Sequence, residues 1–341
     1  MAGGASGLPP SPMTERDAQI DGFLAAHGWA GASRAPLAGD ASARRYERIA
    51  EGRRRAVLMD APPEREALGP FMLIDRYLRS RGYSAPEIYA ADEACGLMLL
   101  EDLGDRRYTE LTEGGFDQET LFSAAIDVLI DLHDEAPTGL DIARLDSDRL
   151  LAQVEILIDL YLPEITGAPA SDGQRAGFLA AWRAVLPLAE AIPTTLVLYD
   201  YHAPNLMWLP ERRGVARVGL LDFQDAMIGP LAFDVVSLLE NPRQDIDPAL
   251  AEAMAARYLD RRPEIDRGDF RAAYAVLGAQ RVTRNMGNFT RLWRHEGKPE
   301  YMDHLPRLWR LLDHSLAHPA LAPVAAWFDG AIPRDKRRGL P

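Results

Sequence analysis

The apolar spacing along this chain changes character once, near residue 101, and that change restricts the fold more than any other feature. Before it, short turn-bounded runs have the two-residue alternation of strands; after it, nearly every apolar pattern has the 3.6-residue period of helices. A helix is predicted over 14–27, with Thr14 as N-cap and Ile20, Phe23 and Leu24 on its apolar face. Strands are predicted at 33–37, 45–49 and 55–60, an antiparallel meander broken by Ala38-Gly39-Asp40-Ala41 and Glu51-Gly52. Pro62-Pro63 stops the third strand; a helix over 64–81 and strands at 87–91 and 97–100 follow. Glu101-Asp102-Leu103-Gly104-Asp105 then reads as a connector, and helices are predicted at 117–135, 147–160, 172–190, 231–240, 247–260 and 267–294. Strands segregated from helices in this way give an α+β protein of two lobes. The small lobe spans 14–101, the hinge 101–105 and the helical lobe 106–330, with the active site expected in the cleft between them. Residues 1–13, rich in Gly, Ser and Pro, are expected to be disordered, and 331–341 to form a short basic tail.

A chain of 341 residues, 47% hydrophobic and 26% charged, can bury a sizeable core and divide into two domains. No apolar run approaches the roughly 18 to 20 residues that span a bilayer, and the first residues lack the basic-then-apolar order of a secretory signal, so a cytoplasmic protein is expected. The net charge of −13 argues against nucleic acid or an anionic membrane as partner, since both demand a basic surface. Cys95 is the only cysteine, which excludes an internal disulfide and a cysteine-rich metal site; it reads as a buried strand residue. Lysine occurs only at Lys298 and Lys336. Any phosphate contact in the first 297 residues must therefore come from arginine, backbone N–H groups or a metal.

The helical half is interrupted between 196 and 223 by strand-like runs, LVLYDYHAPNLMWL and VARVGLLDF. Asp200 and Asn205 lie on a loop entering a hairpin, and Asp222 returns at the end of the hairpin's second strand. Phosphoryl transfer needs an acceptor for the substrate's hydroxyl proton and oxygen ligands that hold Mg²⁺ against the phosphates of ATP. Asp200, followed five residues later by Asn205 and then by Asp222-Phe223, supplies that inventory in the order and spacing of a kinase catalytic loop. A lone D-x₄-N arises by chance in polar turns, and its joining to Asp222 through strand, turn and strand makes the pattern specific. His202 reads first as a loop-shaping donor and second as a ligand or substrate contact. Asp234, opening the apolar helix FDVVSLL, reads as a capping residue compatible with bracing the loop.

At these residues the chain resembles the aminoglycoside phosphotransferase-like superfamily of small-molecule kinases. The loop pattern H-G-D-x-H-x-x-N is met by Asp200, His202 and Asn205, while Leu198 and Tyr199 stand where His and Gly are expected, so that part must be braced differently. It is most similar to the bacterial anomeric N-acetylmuramate/N-acetylglucosamine kinases of cell-wall recycling, through PLAGDASARRYERI, AVLMDAPP, LLEDLGD, DYHAPNLMWLP, GLLDFQDAMIGP and GKPEYMDHLPRLWR. The resemblance covers about residues 15 to 325. It implies a protein-kinase-like fold, ATP as co-substrate, Mg²⁺, and phosphorylation of an amino sugar's anomeric hydroxyl. It implies Asp200 as the base, Asn205 and Asp222 as Mg²⁺ ligands, Glu101 to Leu103 as the hinge against adenine, and Gly39, Asp40, Ala41 and Ser42 as the turn covering the phosphates.

One departure concerns charge. The third strand carries Met59 or a neighbour where a phosphate-pairing lysine is expected, and the helix over 64–81 has Glu64 and Glu66 but no requirement to offer the kinase partner glutamate; Arg44 or Arg45 is the candidate replacement for the lysine. For the acceptor, Gln280, Arg281 and Arg284 share a stripe of the predicted helix 267–294. They read either as a solvated arginine-rich face or, with His202, as sugar contacts, an arginine pairing with the lactyl carboxylate of N-acetylmuramate. Two other readings stand beside the amino-sugar kinase: a kinase for aminoglycosides or another small alcohol, and a non-catalytic nucleotide-binding module, which the missing lysine allows and the complete Asp200, Asn205 and Asp222 set opposes.

Overall fold

The computed structural model describes residues 14–37 and 44–337. Helix α1 (Glu15–Ala26) starts where predicted because Thr14 and Asp17 cap each other: the Thr14 hydroxyl accepts from the Asp17 N–H, and the Asp17 carboxylate accepts from the Thr14 N–H. Its apolar face covers a sheet of five antiparallel strands, β1 (Ser33–Pro36), β2 (Arg45–Glu51), β3 (Arg54–Asp60), β4 (Ile88–Asp92) and β5 (Leu97–Leu100), ordered β1-β2-β3-β5-β4. Ile20, Phe23 and Leu24 of the helix pack with Trp29, Ile49, Ala56, Leu58, Leu97 and Leu99, each large side chain contributing about 1.5–3 kcal/mol by leaving water. Arg16 fastens α1 to the sheet, its Nη2 2.5 Å from Asp60 and its Nη1 donating to the Cys95 carbonyl at 2.7 Å.

Cys95 is not a strand residue. It sits, partly buried, in the turn between β4 and β5, because the Asp92 carboxylate accepts its N–H at 2.9 Å and closes that turn. Gly96 ends the turn at φ +66°, where a Cβ would fall 1.9 Å from the Ala61 carbonyl oxygen, so only glycine fits. Helix α2 (Gly69–Ser80) begins later than the predicted 64, because the N–H groups of Arg65 and Glu66 turn back onto the Pro62 carbonyl.

The chain divides into two compact units, one built from the residues up to Met72 with Pro86–Leu103, the other from Leu73–Ala85 with the residues from Gly104 onward. Leaving the sheet, it passes from one to the other at Leu103 and Gly104, within the connector.

The second unit opens with helices α3 (Tyr108–Glu113), α4 (Gln118–Leu132) and α5 (Ser147–Ile156); a π turn at Leu157–Tyr161 leads into α6 (Leu162–Thr166), and α7 (Asp172–Val185) follows. Two strand pairs come next: β6 (Thr194–Val197) with β9 (Met227–Pro230), and β7 (Leu206–Trp208) with β8 (Val218–Leu220), both antiparallel. Helices α8 (Ala232–Leu239), α9 (Pro248–Asp260), α10 (Arg267–Glu296), α11 (Leu305–Leu316) and α12 (Ala322–Ala331) complete it. Side chains of Asp117, Asp146, Ser171, Asp247 and Asp266 cap α4, α5, α7, α9 and α10.

Helix α10 is the axis of this unit. Seventeen of its thirty residues are buried, and at Gly287 it lies so close to Ile156 that a Cβ would come within 2.8 Å of that residue's carbonyl oxygen. Elements α3, α6, β9, α11 and α12 are additions to the sequence reading. Three of them are short, and β9 is the unstrandlike MIGP; α11 had a legible signal in Leu305, Leu308, Trp309 and Leu312. The basic tail is docked as far as Arg337, which is 6% exposed, lies over the Trp309 ring and binds Asp313 and Asp329. Among the described residues no helix is long and apolar enough to cross a membrane.

Candidate active site

At the end of β6 the backbone is forced into a conformation that side chains avoid: Tyr199 has φ 74°. A non-glycine residue there costs on the order of 1–3 kcal/mol and needs compensation. Asp234 supplies it. Fully buried in the first turn of α8, its carboxylate accepts the N–H groups of Leu198 at 2.6 Å and Tyr199 at 3.0 Å. It does not cap α8, whose N-cap is Leu231; it braces the loop.

Helix α10 holds the other side of the same residue. Arg281 donates to the Tyr199 carbonyl at 3.2 Å and to Ser237 Oγ at 2.7 Å, with its guanidinium over the Phe233 ring. The Tyr199 ring stacks on Phe233 at 5.3 Å between centroids, and its phenol accepts from Gln153 Nε2 at 2.8 Å and from Arg284. Gln280 in turn donates to Gln153 and to the Leu150 carbonyl, both at 3.1 Å. Gln280 and Arg281 are 0% and 4% exposed, so the stripe read as a solvated face is internal: its apolar-looking partners are loop backbone and aromatic rings, which helical spacing alone does not reveal. Here lies the different bracing that the Leu198-Tyr199 departure required.

With Tyr199 fixed, a tight turn follows. The His202 N–H donates to the Asp200 carbonyl at 3.1 Å, and the His202 carbonyl accepts the Asn205 N–H at 2.8 Å, so His202 shapes the loop through its backbone. Asn205 Nδ2 donates to the Asp200 carbonyl at 3.0 Å and points at Asp222 Oδ2, 3.4 Å away. The hairpin of β7 and β8 returns the chain to this point, with the Leu221 N–H on the Asn205 carbonyl at 3.0 Å. Asp222 itself has φ 58°, a left-handed conformation that Asp tolerates better than most residues. Gln224, 8% exposed, steadies it by donating to Oδ1 at 2.9 Å. The structure thus brings Asp200, Asn205 and Asp222 together. Sequence reasoning did not single out Gln224, Gln153 or Ser237, whose only signal was adjacency to the motif or membership of a neighbouring helix.

Burial pushes the Asp200 carboxyl up to about 7; Asp222, then Asp225 and Asp234, push in the same direction, against Arg281. Burial likewise pushes Asp234 up to about 7. Negative charge therefore exceeds positive at the turn, and the Asn205 side chain meets Asp222 Oδ2 at 3.4 Å. That arrangement fits a divalent cation taken up with phosphate oxygens. Among the described residues there is no group of three or more His, Cys, Asp or Glu that could hold a metal ion.

In the first unit, Met59 is fully buried opposite Met98 on β5. Arg44, 9% exposed, meets Glu66 at 2.7 Å, whereas Arg45 is exposed on β2. Arg48 binds Asp102 through Nε at 2.8 Å and Nη2 at 3.0 Å, anchoring the connector, and the Glu101 N–H donates to the Glu87 carbonyl at 2.8 Å. Glu101 and Leu103 are both half-buried. Gly39, Asp40, Ala41 and Ser42 lie outside the described residues.

Comparison with known proteins gives the family. Residues 33–272 match the family described as "Phosphotransferase enzyme family". A Caulobacter vibrioides protein named N-acetylmuramate/N-acetylglucosamine kinase is 40% identical, over 95% of this chain and 99% of its own length. A Pseudomonas aeruginosa protein of the same name is 32% identical, over 90% and 91%. Among solved structures, a choline/ethanolamine kinase family protein from Mesorhizobium loti shares the fold with a TM-score of 0.62 at 14% identity, covering 92% of this chain and 98% of that one. A five-stranded antiparallel sheet followed by a helical unit is the kinase-like fold of that solved structure, and the chain belongs to the phosphotransferase enzyme family.

Proposed function

We propose that this phosphotransferase moves the γ-phosphate of ATP to the anomeric hydroxyl of N-acetylmuramate and N-acetylglucosamine in the cytoplasm, giving the sugar 1-phosphates. The observation that carries the reading is the convergence of Asp200, Asn205 and Asp222 on one turn, in a chain 40% identical to a kinase named for those two sugars. Asp200 takes the hydroxyl proton; a carboxylate raised toward neutrality by burial is a competent base at cellular pH. Asn205 and Asp222 would hold Mg²⁺, which when bound neutralises charge on the transferring phosphoryl group. Gln224 orients Asp222, and Asp234 with Arg281 keeps Asp200 at the mouth of the turn.

For the nucleotide, we assign Glu101 to Leu103 to the adenine edge, Gly39 to Ser42 to the phosphates, and Arg44 to the place of the missing lysine. Its pairing with Glu66 supports that last assignment, since a guanidinium held by a carboxylate is presented in one orientation. The need for ATP supports a cytoplasmic site of action.

An ADP-release assay over N-acetylmuramate, N-acetylglucosamine, choline and an aminoglycoside tests the acceptor. Turnover confined to choline or the aminoglycoside refutes the sugar assignment, and no turnover on any of them favours the non-catalytic module. Asp200→Asn should lower kcat by about 10²-fold or more and spare the KM for ATP; near-normal turnover removes Asp200 from the role of base.

A further inference from the structure

Two arginines one turn apart on α10 have opposite surroundings. Arg281 is ringed by the carboxylates of Asp200, Asp234 and Glu240. Arg284 has no carboxylate: among the described residues its guanidinium reaches only the Tyr199 phenol, over whose ring it lies at 4.7 Å, and its Nε is buried without a partner. Burial alone acts on it, pulling its pKa down to about 10, and even so it stays cationic at neutral pH. A buried cation that the protein leaves uncompensated is expensive unless something else supplies the counter-charge. Asp200 is acted on by the charge of Arg281, while among the described residues Arg284 pairs with no carboxylate. The residue is half-buried rather than sealed, and the aromatic ring it covers belongs to the neighbour of Asp200 in the chain.

We infer that Arg284 is the anion-recognising element of the acceptor site and takes the carboxylate of N-acetylmuramate, the group that N-acetylglucosamine lacks. The inference rests on the sugar-kinase reading above and deepens it. With the anomeric C1 hydroxyl at Asp200, the lactyl ether on C3 is carried to one side of the base, and Arg284 lies over the ring of Tyr199, the residue next to Asp200. A guanidinium binds carboxylate in a two-pronged fashion, and Arg284 has donors to spare for it.

The test compares kcat/KM for N-acetylmuramate, its neutral carboxamide and N-acetylglucosamine. The wild-type protein should prefer the acid to the carboxamide about 10- to 100-fold, chiefly through KM. Arg284→Gln should erase that preference, and Arg284→Lys should restore part of it. Whatever either variant does to the shared rate through Tyr199 is common to all three sugars and cancels in the ratio. If the acid and carboxamide are used equally by the wild-type protein, or if Arg284→Gln lowers all three in parallel, Arg284 only holds Tyr199 and the inference fails while the kinase reading stands. The wild-type comparison needs no variant to fold. If the wild-type protein turns over none of the three, both readings fail together.

Discussion

The two units handle charge in opposite ways. In the first, three arginines are matched by acids of their own unit: Arg44 by Glu66, Arg48 by Asp102, Arg16 by Asp60. In the second, the catalytic turn keeps charge unbalanced: Asp200, Asp222 and Asp225 crowd together against Arg281, and Arg284 has no acid at all. Paired charges position a backbone; unpaired charges wait for a ligand. The contrast separates two ways of presenting charge to a ligand: a paired guanidinium such as Arg44 is held in one orientation, whereas an uncompensated one such as Arg284 offers its full charge.

Asp222→Ala breaks the contrast most severely. Removing a carboxylate from the turn should abolish Mg-ATP-dependent activity, a loss of at least about 10³-fold, and should weaken Mg-ATP binding in a titration; unchanged affinity and rate would mean that the metal is held elsewhere. Arg44→Ala probes the paired unit. Losing one charge-assisted contact should raise the KM for ATP about tenfold, while Arg45→Ala, at an exposed strand position, should leave it within about twofold. Equal effects would mean that pairing with Glu66 does not single out Arg44. Asp245→Asn is the smallest case and the control, a paired charge on the second unit's surface. Asp245 bridges Arg307 and Arg310, and hydrogen bonding from Arg307 pulls its pKa down to about 2. A depressed carboxylate stabilises the fold above its unfolded pKa of roughly 3.9 and loses that contribution as pH falls through about 2. The variant should therefore melt slightly lower than the parent at pH 7, by no more than about 4 °C, and the gap should close at pH 2. A larger gap at neutral pH would show this surface pair acting like the buried ones.

How far these features could be read in advance follows from their physics. The meander, the sheet's last two strands and the Asp200, Asn205 and Asp222 set were legible because each depends on local spacing: two-residue alternation, turn residues, and a fixed interval within one loop. The bracing was not. Asp234 stands in an apolar helix and reads as a cap, and Gln280, Arg281 and Arg284 read as a wet face because helical spacing says which side chains share a stripe, not what the stripe meets. Arg337 looked like part of a loose basic tail for the same reason; its partners Asp313 and Asp329 sit on α11 and α12, beyond the helices that the apolar pattern was used to place.

The left-handed turn at Tyr199 has a temporal consequence. Its carbonyl is held by Arg281 and its phenol by Arg284, residues 82 and 85 positions later in the chain. During synthesis at about 5–20 residues per second, the turn bearing Asp200 therefore exists for several seconds before the side chains of α10 that hold its neighbour have been made. The first unit's sheet can close as soon as β5 emerges; the catalytic turn cannot. A ribosome-bound chain ending before α10 would carry the aspartate and the asparagine on a turn braced by Asp234 but without the grip of Arg281 and Arg284, so the full bracing of that turn is acquired late.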